Sequence, residues 1–154
     1  MTFNPVGFAI RNATLRDLHH VRRLEQVVFG HDAYSYLNLS TLIVWPGAVN
    51  LKLLDRAGTI IGFVAGQPNF TTQIDWIITL CVHPNYRGQG LGRWLLANAE
   101  NGLTFPRLRL TVRVSNNTAI ALYDSVGYTR LYVEPHYYND GEDGMVMEKV
   151  RKTV

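Results

Sequence analysis

A chain of 154 residues, 47% hydrophobic and 18% charged, has the make-up of one folded domain that buries roughly 70% of its unfolded surface, which excludes a disordered tail or a fibrous repeat. Its net charge of +3 comes from dispersed Lys and Arg with no basic run, so the expectation is no nucleic-acid partner and only a general preference for anionic ligands. A single cysteine excludes a disulfide framework or a cysteine-based zinc site, and neither a leader pattern in Met1-Thr2-Phe3-Asn4-Pro5 nor an apolar stretch approaching 18 residues is present, so one cytoplasmic domain over 1–154, off the membrane and without a metal, is expected.

Phe8-Ala9-Ile10-Arg11 alternates as a short strand does. Thr14 followed by Asp17 is a capping-box start, and Leu18, Val21, Leu24 and Val28 recur at helical spacing up to Gly30. A second helix is predicted over 36–45, stopped by Pro46-Gly47. Strands are predicted over 50–54 and 59–65, turning at Arg56-Ala57-Gly58. Residues 74–82 form a nearly continuous apolar run, as in a strand covered on both faces, and Cys81 inside it reads as a small buried hydrophobe. Leu91, Trp94, Leu95, Ala99 and Leu103 mark a helix, and 108–114 alternates strictly as a strand. Asn116 or Asn117 caps a further helix that ends at Gly127, whose missing Cβ suits a left-handed cap. Two last strands, 128–133 and 144–149, flank the polar loop 139–143. The order β-α-α-β-β-β-α-β-α-β-β predicts an α+β fold, with a mixed, mostly antiparallel sheet of six or seven strands and about four helices on its faces.

The most informative stretch runs from Leu80-Cys81-Val82 through His83-Pro84-Asn85-Tyr86 to Arg87-Gly88-Gln89-Gly90-Leu91-Gly92-Arg93. It is an apolar strand feeding a glycine-spaced basic turn that opens a helix. Small residues admit a diphosphate close to the main chain, and the first amides of the helix point outward at its positive end. A kinase-type phosphate loop is excluded, because Gly92 is followed by Arg93-Trp94 and not by Lys-Ser/Thr. The dinucleotide fingerprint also fails: the spacing is Gly88-x-Gly90-x-Gly92, and no acid lies in Leu108-Arg109-Leu110-Thr111 about 20 residues on.

Arg-Gly-x-Gly-x-Gly after a strand resembles the acetyl-CoA pyrophosphate loop of the GNAT acetyltransferase superfamily. A second stretch, Leu110-Thr111-Val112-Arg113-Val114-Ser115-Asn116 through Ala119 and Tyr123 to Gly127-Tyr128, resembles that superfamily's second signature. The resemblance implies that acetyl-CoA is the cofactor. Main-chain groups of Leu80, Cys81 and Val82 would pair with its pantetheine arm, and a main-chain N–H near Val82 would stabilise the oxyanion. The amides of Arg87, Gly88, Gln89, Gly90, Leu91 and Gly92, with Arg93 alongside, would hold the diphosphate. Asn116 would contact the pantetheine, cap its helix, or do both. Tyr123 matches the tyrosine that protonates the departing thiolate, the alternative being a ring packed on an apolar helical face.

Within the superfamily the chain resembles the RimI-like and other protein N-terminal (α-amine) acetyltransferases. Phe29, Asp32 and Tyr34 fall where those enzymes have a peptide-binding loop. Tyr137 and Tyr138, in His136-Tyr137-Tyr138-Asn139-Asp140-Gly141-Glu142-Asp143, fall where a tyrosine pair walls the peptide entrance, although such a hairpin is also simply a solvated loop. The implied partner besides acetyl-CoA is an amine acceptor, a protein N-terminus in the first instance, and the protein would be a monomer or homodimer. The alternatives are an acetyltransferase for a small amine (polyamine, amino acid or antibiotic) and a non-catalytic acyl-CoA-binding protein. One departure stands out. Relatives carry Glu or His where this chain has Thr111, which cannot act as a base near neutral pH. Asp32 is one substitute, with His31, His136 and Glu25 as weaker ones.

Overall fold

The apolar periodicities resolve into seven strands and four helices, in the order expected, in a computed structural model that describes residues 4–152. Met1–Phe3, part of the segment read for a leader, lie outside the described residues. The strands are β1 (Ala9–Asn12), β2 (Val49–Leu54), β3 (Ile60–Asn69), β4 (Ile74–Val82), β5 (Arg107–Arg113), β6 (Thr129–Glu134) and β7 (Gly144–Val150). The helices are α1 (Leu18–Phe29), α2 (Tyr36–Val44), α3 (Leu91–Gly102) and α4 (Asn117–Ser125). One sheet contains all seven strands in the order β1-β2-β3-β4-β5-β7-β6. Every neighbouring pair is antiparallel except β4 and β5, which are parallel and connected through α3.

Two apolar layers flank this sheet. On one face Val21 and Leu24 of α1 and Leu39 and Leu42 of α2 pack on Phe63, Ala65 and Cys81. The larger layer joins Leu91, Leu95, Leu96 and Ala99 of α3 and Ile120 and Tyr123 of α4 to Val64, Ile77, Leu108 and Leu110. Cys81 is 3% exposed and its thiol is pushed up by burial, so it is the inert core residue expected. The capping box is present, with Thr14 Oγ1 accepting from the Arg16 amide at 3.3 Å and Asp17 Oδ2 from the Thr14 amide at 2.9 Å. It closes a 3-10 turn, Leu15–Asp17, that leads into α1. Asn116 is the cap of α4, accepting from the Ala119 amide at 3.2 Å.

β3 runs four residues past its expected end, through Gly66 and Pro68. Both residues mimic a strand stop in the sequence, but pairing with β2 ends at Gly66 while pairing with β4 continues to Asn69. The missing N–H of Pro68 therefore faces no strand. Gly66 is required for packing, since a Cβ there would lie 2.8 Å from Leu103 Cδ1.

β4 carries the irregularity that makes the site. Ala65 is opposite Thr79, but Gly66 is opposite Ile77, so Ile78 is an extra residue, a β-bulge. Its effect is to swap faces: Ile77 packs with the α3 layer, whereas Ile78 packs with the α1 layer and Thr79 bonds to α1. Pairing between β4 and β5 stops at the same place, at Ile77 and Leu110, and the two strands then continue without a ladder between them.

The base of this divergence is held by Asp75, which is fully buried. Its Oδ2 accepts from the Phe105 amide at 2.8 Å and lies 3.6 Å from Arg151. Burial raises its carboxyl, with these partners opposing. Asp75→Ala orphans a partly buried amide and a partly buried guanidinium, and is expected to destabilise the protein by about 2–4 kcal/mol; urea unfolding at constant m-value checks this.

Candidate active site

Where β4 and β5 part, they leave a cavity of about 220 Å³, lined by Trp76 through Leu80 on one side and Leu110 through Arg113 on the other. Its lining comes from both faces of the sheet. Phe29, Asp32 and Tyr34 come from the α1–α2 connection, Asn116, Ala119 and Tyr123 from α4 and its cap, and Tyr137 and Tyr138 from the β6–β7 loop. The main chain of β4 faces this slot in part. The His83 amide donates to the Ile61 carbonyl at 2.7 Å, and Cys81 is paired with Phe63 two residues away. Alternation along an antiparallel ladder then turns the main-chain groups of Cys81 toward β3, and those of Leu80 and Val82 toward the slot.

At the end of β4 the chain passes through a 3-10 turn, Pro84–Tyr86, into the glycine turn. Gly88 and Gly90 have φ of +80° and +76°, a region that strains any residue with a Cβ. Gly90 caps α3, and a Cβ on Gly88 would meet open space, so nothing of the protein covers the turn there. Among the described residues the amides of 88–93 donate to no protein acceptor; the first amide of α3 with a carbonyl partner is that of Trp94, on Gly90 at 3.1 Å. Unpartnered amides and a helix dipole at an open, glycine-lined turn fit a diphosphate. Arg87 is exposed, and Gln89 Nε2 donates to the Tyr86 carbonyl at 3.4 Å. Arg93 donates to Ser125 Oγ at 2.6 Å, which ties α3 to α4 beside the turn.

Tyr123 is 8% exposed, and burial pushes its phenol up to about 12. Its ring packs edge-on to Tyr128 at 5.8 Å. Tyr128 is buried and donates to Glu100 Oε1 at 2.8 Å, so of this pair only Tyr123 lines the cavity. Thr111 lines it too, its methyl so close to Gly144 that a Cβ there would lie at 2.7 Å.

Arg113, not singled out by the sequence, organises the opposite mouth. Its Nε donates to Asp32 Oδ2 at 2.9 Å, and its Nη1 donates to Asp140 Oδ2 at 2.9 Å and Glu142 Oε1 at 2.8 Å. The guanidinium lies 4.1 Å from the centre of the Tyr138 ring. One side chain on β5 thus ties the α1–α2 connection to the β6–β7 loop, and brings Tyr137 and Tyr138, 5.0 Å apart edge-to-face, to the rim. Tyr34 is shielded at the same mouth, burial pushing its phenol up to about 12.

Of the substitute bases, His31 and His136 are exposed and do not line the cavity; His136 Nδ1 is 3.0 Å from the Gly141 carbonyl. Asp32 lines it, but is held by Arg113. Glu25 is fully buried on α1, and its Oε1 accepts from the Thr79 hydroxyl at 2.8 Å. Thr79 lines the cavity. The signal for it was a hydroxyl inside a largely apolar strand, a position that needs a partner when buried.

Residues 15–128 match the Acetyltransferase (GNAT) family. The chain belongs to that family. The GNAT chain is 32% identical over 148 residues to an uncharacterized N-acetyltransferase of Methanocaldococcus jannaschii, covering 91% of this chain and 90% of the relative. It is 26% identical over 160 residues to an N-alpha-acetyltransferase of Sulfurisphaera tokodaii, covering 91% of each. Among solved structures, the ribosomal-protein-S18-alanine N-acetyltransferase of Escherichia coli superposes with a TM-score of 0.85 at 27% identity, over 96% of both chains.

In this GNAT domain burial pushes the Glu25 carboxyl from 4.5 up to about 7, against the lowering effects of Thr79, the Tyr34 amide and Arg22. Below pH 4.5 both folded and unfolded states hold the proton. Between 4.5 and about 7 the unfolded state ionises first, so stability falls as pH rises, by roughly 3 kcal/mol in full. Glu25→Gln keeps an acceptor for Thr79 and removes the titration. The stability difference between variant and parent should therefore grow in the variant's favour from pH 4.5 to 8, as read from chemical denaturation at each pH.

Proposed function

We propose that the protein transfers acetyl from acetyl-CoA to the α-amine at a protein or peptide N-terminus. The observation that carries this reading is the slot between β4 and β5. Its lining comes from both faces of the sheet, so that a donor and an acceptor would meet in it from opposite sides. The full-length likeness to N-alpha-acetyltransferases supports the choice of acceptor.

The amides of 88–92 and the positive end of α3 hold the diphosphate, with Arg87 and Arg93 adding charge. Leu80 and Val82 offer strand-like main-chain pairing to the pantetheine arm, and their slot-facing N–H groups stabilise negative charge on the thioester oxygen. Asn116 borders the arm while capping α4. Bound acetyl-CoA supplies an activated thioester. Phe29, Asp32, Tyr34, Tyr137 and Tyr138 shape the opening through which a chain terminus enters. Tyr123 gives its proton to the departing thiolate; raised to about 12, its phenol is fully protonated at working pH.

Thiol release from acetyl-CoA, followed across a library of short peptides and a panel of small amines and lysine-blocked controls, tests the acceptor. Turnover with free peptide α-amines is expected, whereas turnover confined to small amines would replace this reading with the small-molecule one. Tyr123→Phe should lower kcat by about 10²-fold while leaving the acetyl-CoA Kd within about twofold. Gly90→Val places a β-branched side chain at φ +76° and closes the turn. It should abolish acetyl-CoA binding by calorimetry; retained micromolar binding would refute the assignment of the loop.

A further inference from the structure

The slot contains no obvious group to take a proton from the acceptor. An amine arrives mostly as ammonium, and only its neutral form attacks a thioester. Asp32, Asp140 and Glu142 are all bonded to Arg113; the Glu142 amide holds Asp140, and Ser115 holds Glu142, below the usual carboxylate range, with Arg113 adding to both. The phenols of Tyr34, Tyr123 and Tyr138 are all raised by burial, and remain protonated at neutral pH. Thr111 has no titration there.

Behind the wall of the slot the situation differs. Thr79 reaches the cavity because the extra residue in β4 turns it to the α1 face, and its hydroxyl donates to Glu25 Oε1 at 2.8 Å. Glu25 has no solvent contact, and its second oxygen, Oε2, makes no hydrogen bond of good geometry among the described residues, the Tyr34 amide lying only near enough to favour the carboxylate. A fully buried carboxylate so incompletely paired is expensive to retain in a core. We propose that Glu25 accepts the proton of the acceptor ammonium through the Thr79 hydroxyl, as a two-residue relay that replaces the missing base at Thr111. The proposal rests on the acetyl-transfer reading above.

Thr79 Oγ1 has lone pairs free for an ammonium in the slot while its own proton points at Glu25. An N–H bond of the ammonium breaks and its proton joins Thr79 Oγ1. The hydroxyl proton moves to Glu25 Oε1, leaving a carboxylic acid on Glu25 and an electron pair on nitrogen. That pair forms the C–N bond as the C–S bond breaks. Tyr123 protonates the thiolate and is restored by the proton that nitrogen loses on becoming an amide. Glu25 returns its proton to water through Thr79 after product leaves, so one proton is released per turnover. The groups facing Glu25 are Arg22 on its own helix, Tyr34 from the α1–α2 connection, and Thr79 and Cys81 from β4; the α2 and β3 side chains in this layer, Leu39, Leu42, Phe63 and Ala65, are apolar. With its carboxyl near 7, Glu25 is ionised in a useful fraction at working pH.

The test is kcat/KM for a peptide acceptor from pH 5.5 to 9.5 in the parent, Thr79→Ala, Thr79→Ser and Glu25→Gln, with acetyl-CoA saturating. The relay predicts that the parent-to-variant ratio for Thr79→Ala and Glu25→Gln peaks at about 10²-fold between pH 7 and 8. It should shrink below pH 6, where Glu25 is protonated, and above pH 9, where free α-amine dominates. Thr79→Ser keeps the hydroxyl and should stay within about threefold of the parent. A ratio independent of pH marks a merely structural role and overturns the relay, as does a Thr79→Ala enzyme equal to its parent. Thr79→Ala stands independently if Glu25→Gln fails to fold. A parent protein that binds acetyl-CoA but acetylates no amine would instead overturn the function on which the relay rests.

Discussion

The structure turns on one extra residue. With Ile78 inserted in β4, the strand cannot keep both its neighbours in register, and the ladder to β5 ends at Ile77. Main-chain groups of Leu80 and Val82 are left without a strand partner in an apolar surrounding, a condition that a folded protein ordinarily avoids. An extended ligand arm with amide groups would satisfy them in the manner of an added strand. The same gap is lined from both faces of the sheet, an arrangement in which two reactants would meet without sharing an entrance. Anchoring at Asp75 keeps the strands together below the gap, and the seven-stranded sheet bears the loss of a few hydrogen bonds at its centre.

Charge is distributed around this gap according to what each end must do. On the α3 side the protein leaves amides and a helix dipole unpartnered and adds arginines. At the other mouth three carboxylates gather on Arg113, which offsets part of their charge and ties together two loops from different parts of the chain. The group is partly exposed, so its energetic contribution is modest and its value lies in geometry. Glu25 is the reverse case: it has no full ion-pair partner, and burial alone moves its titration toward neutrality.

Much of this was legible in the residues. Element order followed from periodicity, and the caps at Thr14 and Asn116 followed from the chemistry of their side chains. The glycine turn was readable because positive φ leaves a signature in composition, at Gly88 and Gly90. What remained hidden was register. A bulge inserts no distinctive residue, and Ile78 looks like any other member of an apolar run, so the face change that aims Thr79 at Glu25 leaves no trace in the sequence pattern. Arg113 was equally opaque. On an alternating strand it reads as a solvent-facing charge, and only the folding of residues 32, 140 and 142 around it reveals its role. Gly66 and Pro68 misled in the other direction: Gly66 is there for its close approach to Leu103, and Pro68 lies past the end of β2, where its missing N–H faces no strand.

The proton balance bears on which amine such a site suits. A carboxyl near 7 accepts a proton from an α-ammonium, whose pKa is ~7.7–8.0, across a gap of about one unit, or roughly 1.4 kcal/mol. From a lysine ammonium at ~10.4 the same transfer is uphill by more than three units, roughly 4.6 kcal/mol. A buried glutamate reached through a hydroxyl is therefore well matched to chain termini and poorly matched to lysine side chains, even before the shape of the mouth is considered. The rim of Tyr34, Tyr137 and Tyr138 works in the same direction. It has apolar surface and hydroxyl groups that would meet an extended main chain, beside three carboxylates whose charge Arg113 offsets only in part.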